Sequence, residues 1–259
     1  MNFEPIGIYH SALRYRFETP RQSVYIHNSG VIELLPGRNF ESALEDLEGF
    51  DRIWILFQFH LNNNWRPKVR PPVAPEKERI GVFATRSPHR PNPIGMSCVK
   101  LEKTEGLKIF VQDCDLLDES PVFDIKPYIP AADSFPESRT GWLERAVAPR
   151  QYDIQILPSA LEKILFLKEN GFDAENFCYL QLGTDPVNPE RKRIYQNGNG
   201  YEIGFRTWRI SFILKENTVE IHGVRSNYQP EELAENAPDK YNDKWLHREF
   251  YKRFQNTAI

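Results

Sequence analysis

Between Gly81 and Gly95 the chain reads Gly-Val-Phe-Ala-Thr-Arg-Ser-Pro-His-Arg-Pro-Asn-Pro-Ile-Gly, with three prolines, two arginines and a histidine. Each proline fixes φ, lacks a backbone donor and pushes the residue before it toward extended geometry, so neither a helix nor an inner strand runs through this stretch. The fold has to carry it as a stiff excursion that displays Arg86, His89, Arg90 and Asn92. Rigidly displayed polar side chains are what ligand sites use. The alternative is a proline-rich crossover between strands whose arginines face water.

The chain has 259 residues, 40% hydrophobic and 27% charged, the balance of a water-exposed globular protein with one large or two ordinary domains. Its longest apolar run, Ile53 to Phe57, is far too short to span a bilayer, and the Met1-Asn2-Phe3-Glu4 start lacks the regions of an export signal. We therefore expect a cytoplasmic protein with no membrane partner. Cys98, Cys114 and Cys178 are widely spaced and form no Cys-x-x-Cys pair, which argues against a disulfide framework and a zinc site. The net charge of −3 hides an asymmetry: from Trp65 to Arg90 seven lysines and arginines stand against two glutamates. That segment suits a phosphate backbone, although charge runs are also ordinary solvated faces.

The first half reads as short, turn-bounded strands: 6–10, 23–27, 30–34, 52–60, 95–103 and 107–113. Asn28-Ser29-Gly30 and Thr104-Glu105-Gly106 read as turns, so hairpins of an antiparallel sheet or barrel are expected. One helix interrupts them, capped by Asn39 and running through Glu48 to a stop at Gly49. Beyond Gly141 the pattern predicts helices over 158–170 and 174–182, then a three-stranded meander of 193–196, one long strand 201–214 and 219–224, and a terminal helix from Asp243. The fold class expected is α+β: a small antiparallel β-barrel domain over 1–145, then a smaller α+β domain over 146–259. Gly198 to Gly204 has the glycine spacing of no dinucleotide fingerprint and reads as a hairpin turn. Asp113, Asp115 and Asp118 lack the bend glycine of a calcium loop. No metal is expected.

Around the proline-rich loop stand further blocks in order. They are Ser11, Phe17 and Pro20-Arg21-Gln22; Leu47-Glu48-Gly49-Phe50 leading into Trp54-Ile55-Leu56-Phe57 and Phe59-His60; Trp65-Arg66-Pro67 with Val69-Arg70-Pro71-Pro72; and Asp115-Leu116-Leu117-Asp118 continuing through Pro121 to Tyr128. Over roughly 130 residues this order and spacing resembles the signature of the tRNA threonylcarbamoyladenosine N6-methyltransferase family, once catalogued as an uncharacterised family. The C-terminal half is matched more weakly, through Asp185-Pro186, Tyr195 and the Trp208 strand. The chain departs from the family in having Glu119-Ser120 where Gly-Thr is usual, and in the extra Val187-Asn188-Pro189-Glu190.

The resemblance implies a barrel that binds S-adenosylmethionine near a homodimer interface and methylates a modified adenosine beside the tRNA anticodon, with the second domain helping to hold the tRNA. Carried over by motif position, Arg21, Gln22, His60, Leu61, Arg86, Asp115, Leu116, Leu117 and Asp118 are the cofactor-binding candidates. Residue chemistry agrees: aspartates suit ribose hydroxyls or an ammonium, Arg86 or Arg21 a carboxylate, and the two leucines an adenine. The plainer reading of the aspartates is a solvated turn. Arg66, Arg70, His89, Arg90, Asn92 and Tyr128 are the candidates for the RNA, with Trp65, Tyr128 and Trp208 available for stacking unless they are core. His60 is the candidate general base for a weakly nucleophilic nitrogen, or else a packed histidine at a strand end. Two alternatives stay open: a barrel that binds RNA or a nucleotide without turnover, and a methyltransferase acting on a small molecule or another RNA position.

Overall fold

The computed structural model describes residues 3–19, 28–71, 73–75, 78–146, 150–188 and 193–254. The chain divides into two compact units, Met1–Pro149 and Arg150–Ile259, and the fold class is α+β. Among the described residues no helix is long and apolar enough to cross a membrane.

The first unit is a closed barrel of six strands, β1 (Gly7–His10), β2 (Ser29–Leu34), β3 (Arg52–Gln58), β6 (Ile94–Glu105), β7 (Lys108–Gln112) and β8 (Ser120–Pro127), in the order β1-β2-β7-β6-β3-β8. Every pairing in it is antiparallel. Alternation builds the core: Ile53, Ile55 and Phe57 of β3 point inward, as do Val99 and Leu101 of β6, and Ile32, Ile109, Val111 and Val122 complete it. Phe57 and Gly95 pair directly across β3 and β6, and the Phe57 ring covers the glycine, where a Cβ would sit 2.3 Å from it. β6 and β7 form a hairpin as expected, but Thr104 and Glu105 are its last strand residues and the turn is Gly106 and Leu107, with Gly106 at φ 57°. The excursion between β3 and β6 holds its own ribbon, β4 (Lys68–Val69) paired with β5 (Ile80–Gly81), followed by a 3-10 turn over Val82–Ala84.

Several sequence expectations are corrected. The helix expected from Asn39 to Glu48 is one turn, α1 (Phe40–Ala43), and a separate 3-10 turn at Leu47–Gly49. Asn39 lies at φ 56° and makes no side-chain cap. Phe40, Leu44 and Leu47 still pack against the barrel core, but Asp46 takes φ 65° and breaks the helical path after a single turn. Ser29 and Gly30 belong to β2 rather than to a turn, and the strand expected over 23–27 falls outside the described residues. The strand β8 went unread because Pro121, Asp124 and Lys126 disguise it; Pro121 stands near its first residue, where a missing donor is tolerated. α2 (Pro130–Asp133) follows it.

The second unit is a five-stranded sheet in the order β10-β11-β12-β13-β9, made of β9 (Asp153–Ile156), β10 (Ile194–Asn197), β11 (Gly200–Phe205), β12 (Trp208–Lys215) and β13 (Thr218–Ser226). β9 runs parallel to β13, and the others form an antiparallel meander of four strands, not three. The long strand expected over 201–214 breaks at Arg206, φ 52°, because the side chains on either side belong to different strands of a hairpin. Gly198, φ 56°, sits in the β10–β11 turn. Helices α3 (Pro158–Glu169), α4 (Ala174–Leu182) and α5 (Lys244–Phe254) supply Ile164, Leu167, Phe177, Leu182, Leu246 and Phe250 to its buried set.

Candidate functional site

In the barrel, β1, β3 and β7 end, and β2, β6 and β8 begin, at one mouth, because neighbouring strands alternate in direction. The topology therefore gathers five segments far apart in sequence: His10–Glu18 after β1, Asn28 before β2, His60 and Leu61 after β3, the proline-rich loop before β6, and the turn Asp113–Glu119 between β7 and β8. The acidic turn and the proline-stiffened loop meet there.

Asp115 is half-buried, and its Oδ1 accepts a 2.6 Å hydrogen bond from the Ser97 hydroxyl. Burial pushes its carboxyl up from the usual aspartate range, with the Ser97 bond and the positive charge of Arg86 opposing the rise. Arg86 itself is exposed, so the loop delivers a guanidinium within electrostatic reach of the turn. Asp118 is held at both ends: its N–H donates to the Leu13 carbonyl at 2.7 Å, and its Oδ1 accepts from the Ser11 N–H at 3.0 Å. The next residue, Glu119, takes φ 62°, a left-handed backbone that glycine adopts without cost, and its carboxylate lies 3.2 Å from His10 Nδ1. His10, Asp118 and Glu119 bring one ligand-type atom each within 4.8 Å of one another, with Arg14 Nε 3.9 Å from Asp118. At the other end of the turn Asp113, φ 55°, donates its N–H to the Asn28 carbonyl, and Cys114 N–H donates to Asn28 Oδ1. Below it lie Cys114, whose thiol burial pushes up to about 12, and the fully buried Tyr9, whose phenol burial holds well above its usual range.

His60 shares a 3.3 Å hydrogen bond between its Nδ1 and the Ser120 hydroxyl. Burial holds its imidazole below the usual histidine value, in spite of Glu119 and Asp118, which pull the other way. Leu61 is 38% exposed and Leu117 half-buried, so both present apolar surface at the mouth. Leu116 does not: its side chain is 1% exposed and belongs to the barrel core, so it is no wall for an adenine. Arg21 and Gln22 lie outside the described residues.

Of the residues read as RNA-binding, Arg66, Arg70 and Asn92 are exposed on the excursion. His89 bonds through Nδ1 to Asn64 Oδ1 at 3.2 Å, and its carbonyl accepts from Arg66 N–H. Arg90 is engaged in the architecture, because its Nη1 donates to the Val82 and Thr85 carbonyls and its guanidinium lies over Phe83. Trp142 adds a 2.7 Å bond to the Ala84 carbonyl. Tyr128 is not brought to the mouth: it follows the far end of β8, about 25 Å along the strand from Ser120, where it packs edge-on against Trp54. Trp208 is fully buried and is a core residue.

Sequence reasoning missed the groups that hold the acidic turn and His60 in place: Ser97, Ser120, Asn28 and the Ser11 N–H. A signal existed for Ser97, which occupies an inward position of β6 between Gly95 and Val99, where a hydroxyl needs a buried partner.

Comparison with known proteins agrees with this architecture. Residues 8–134 match the family model of the tRNA-methyltransferase O N-terminal domain. The chain is 32% identical to the tRNA (adenine(37)-N6)-methyltransferase of Escherichia coli over 86% of its own length and 97% of the relative's. It is 40% identical to a probable S-adenosyl-L-methionine-binding protein of Pyrococcus abyssi, over 74% of this chain and 96% of that one. Among solved structures, a crystal structure of TrmO superposes with a TM-score of 0.66 at 30% identity, covering 86% of this chain and 98% of the other. With a relative matched over nearly its whole length, and with barrel and second unit both shared, the chain belongs to the tRNA-methyltransferase O family.

Proposed function

We propose that this protein transfers a methyl group from S-adenosylmethionine to N6 of the adenosine at position 37 of tRNA, the position borne by the names of its relatives, and that the substrate form is N6-threonylcarbamoyladenosine. The observation that carries this reading is the meeting of Arg86 with the Asp115–Asp118 turn at one mouth. The donor set fits the cofactor: two carboxylates for hydroxyls or an ammonium, a guanidinium for a carboxylate, and Leu61 and Leu117 for apolar ring surface. When bound, S-adenosylmethionine supplies a methyl carbon already activated on a cationic sulfur.

The residues are then left chiefly with alignment, which in well-oriented systems lowers a barrier by about 7–11 kcal/mol. Ser97 fixes the Asp115 carboxylate, Ser11 and Leu13 fix Asp118, and Arg90 with Trp142 braces the loop that carries Arg86. His60 is neutral near pH 7, since burial lowers its pKa, and its imidazole is the proton acceptor for the carbamoylated N6. Arg66, Arg70, His89 and Asn92 form the rim toward the anticodon loop. The second unit helps hold the tRNA. The protein acts as a homodimer in this reading, and the outward-facing pair of Leu56 and Met96, the latter 54% exposed, is apolar surface that a partner subunit would cover.

Incubating the protein with cofactor and tRNA that carries threonylcarbamoyladenosine, followed by mass spectrometry of the digested nucleosides, tests the reading. A single added methyl on that nucleoside, lost in Arg86→Ala and slowed with little change in cofactor affinity in His60→Gln, is expected. Methylation elsewhere, or cofactor binding without methylation of any tRNA, overturns it.

A further inference from the structure

The helix α5 fixes one face to the second unit and leaves the other unused by the fold. Leu246, His247 and Phe250 are buried, the His247 ring stacks on Trp208, and Phe250 and Phe254 pack with Phe166. His247 is pinned at both ring nitrogens, by the hydroxyls of Ser226 and Thr207, which sets the rotation of the helix about its axis. The helix start is held as well: the Asp239 carboxylate accepts from the N–H groups of Asp243 and Lys244, and the buried Lys244 ammonium donates to the Glu232 carbonyl. The apolar side is therefore filled, and the outer side is presented from a rigid support.

On that outer side stand Trp245, Arg248 and Lys252, at positions i, i+3 and i+7 of one helix face. Trp245 is 50% exposed, and among the described residues it makes no hydrogen bond, ring contact or ion pair. An indole left half in water on a helix whose core stripe is complete does not serve packing. Arg248 donates through Nε to the Leu233 carbonyl, which sets its guanidinium in place. Lys252 pairs with Glu249 at 2.7 Å, but both side chains are exposed, and such a pair is worth so little in water that a phosphate competes for the lysine. Over Lys244–Phe254, the cations Lys244, Arg248, Lys252 and Arg253 stand against Glu249 alone, in a chain whose net charge is −3.

An aromatic surface with a guanidinium and an ammonium beside it takes a nucleobase and its phosphates. A second copy of the chain fits less well, because a two-fold contact sets this positive excess against itself. A membrane needs an apolar helix face, and α5 has already buried its own. We infer that the outer face of α5 is where the second unit holds tRNA, with Trp245 stacking on an unpaired base and Arg248 and Lys252 taking neighbouring phosphates. The inference rests on the reading of the substrate as tRNA and names the surface through which the second unit serves it.

The test compares Trp245→Ala, Trp245→Phe and Lys252→Gln with the parent in the full-length protein. Cofactor affinity is measured by calorimetry, tRNA affinity by filter binding at several salt concentrations, methylation by steady-state kinetics and oligomeric state by sedimentation. Trp245→Ala is expected to raise the Kd and KM for tRNA by about tenfold, as for loss of one stacked base, with most of the loss recovered in Trp245→Phe and with kcat, cofactor affinity and melting temperature unmoved. Lys252→Gln is expected to reduce the slope of log K against log salt by about 0.7–1. Trp245→Ala that binds tRNA within about twofold of a parent that methylates it overturns the inference alone. Conversion of a parent dimer to monomer by Trp245→Ala also overturns it, since the face is then a subunit contact. A parent protein that binds cofactor but neither binds nor methylates tRNA overturns the substrate reading, and the inference with it.

Discussion

Single hydroxyls decide the state of the carboxylates at the barrel mouth. Ser97 donates to Asp115, opposing the upward push of burial on that carboxyl. A ligand's hydroxyl or ammonium is accepted by the ionised form, so Ser97→Ala is expected to weaken S-adenosylmethionine binding by about tenfold, the scale of one hydrogen bond to a charged group. The sign of the pH effect follows. Losing the donor raises the Asp115 pKa further, and the acid limb of cofactor affinity moves to higher pH. The raised pKa also means that the folded state holds this proton more tightly than the unfolded chain, so the contribution of Asp115 to stability is largest at low pH and declines as pH rises through the folded value. Calorimetric titration across the acid range checks both the affinity and the direction of the shift. The inward place of Ser97 was legible in its strand, but its partner was not, because the bond joins β6 to the turn that follows β7. Glu119 was legible in part: it departs from the family's usual glycine, and the structure finds it at φ 62°, with His10 beside its added charge.

Helical spacing placed α3, α4 and α5 almost to the residue, while strands were legible only where alternation is clean. Alternation identified β3, β6 and β7 because inward and outward side chains differ sharply, whereas β8 was hidden by its proline and charges. The single turn of α1 shows the converse failure, a helical period cut short where Asp46 takes φ 65°. The same scale shows how the strands are packed at the mouth. Gly95 faces Phe57 across β3 and β6, and its missing Cβ leaves room for the Phe57 ring, which is itself packed edge-on against Phe59 at 5.0 Å. Gly95→Ala is therefore expected to destabilise the barrel by about 1–3 kcal/mol through overpacking, read as a lower midpoint in denaturant titration, with partial recovery when Phe57→Leu is added. In the second unit α5 is tied down by a buried network. Asp243 accepts from the hydroxyls of Thr207 at 2.5 Å and Tyr228 at 2.9 Å, His247 bridges Thr207 and Ser226, and the imidazole stacks on Trp208 at 3.7 Å. Helical spacing at Trp245, Leu246, Glu249 and Phe250 announced the helix, and nothing in the spacing announced a histidine as its anchor.

For the whole molecule, a net charge of −3 and a locally basic excursion predict a binding that is selective and salt-dependent. Neutralising an exposed rim cation, as in Arg66→Ala, is expected to weaken tRNA binding and to reduce the slope of log K against log salt by about 0.7–1, with cofactor affinity unchanged. Filter binding at several salt concentrations checks it, and an unaltered slope would move the RNA off this rim. Composition, strand alternation and the ordered blocks from Ser11 to Tyr128 determined the class of fold, the family and most of the residue types a sulfonium donor needs. Those are local properties, carried by runs of a few residues. Which of these residues share a space was decided only by barrel closure. It brought Arg86 to Asp115 and His60 to Ser120, sent Tyr128 to the far end of β8 and sank Leu116 into the core. Strand register, set by the packing of all six strands at once, is a property that no short stretch of sequence contains.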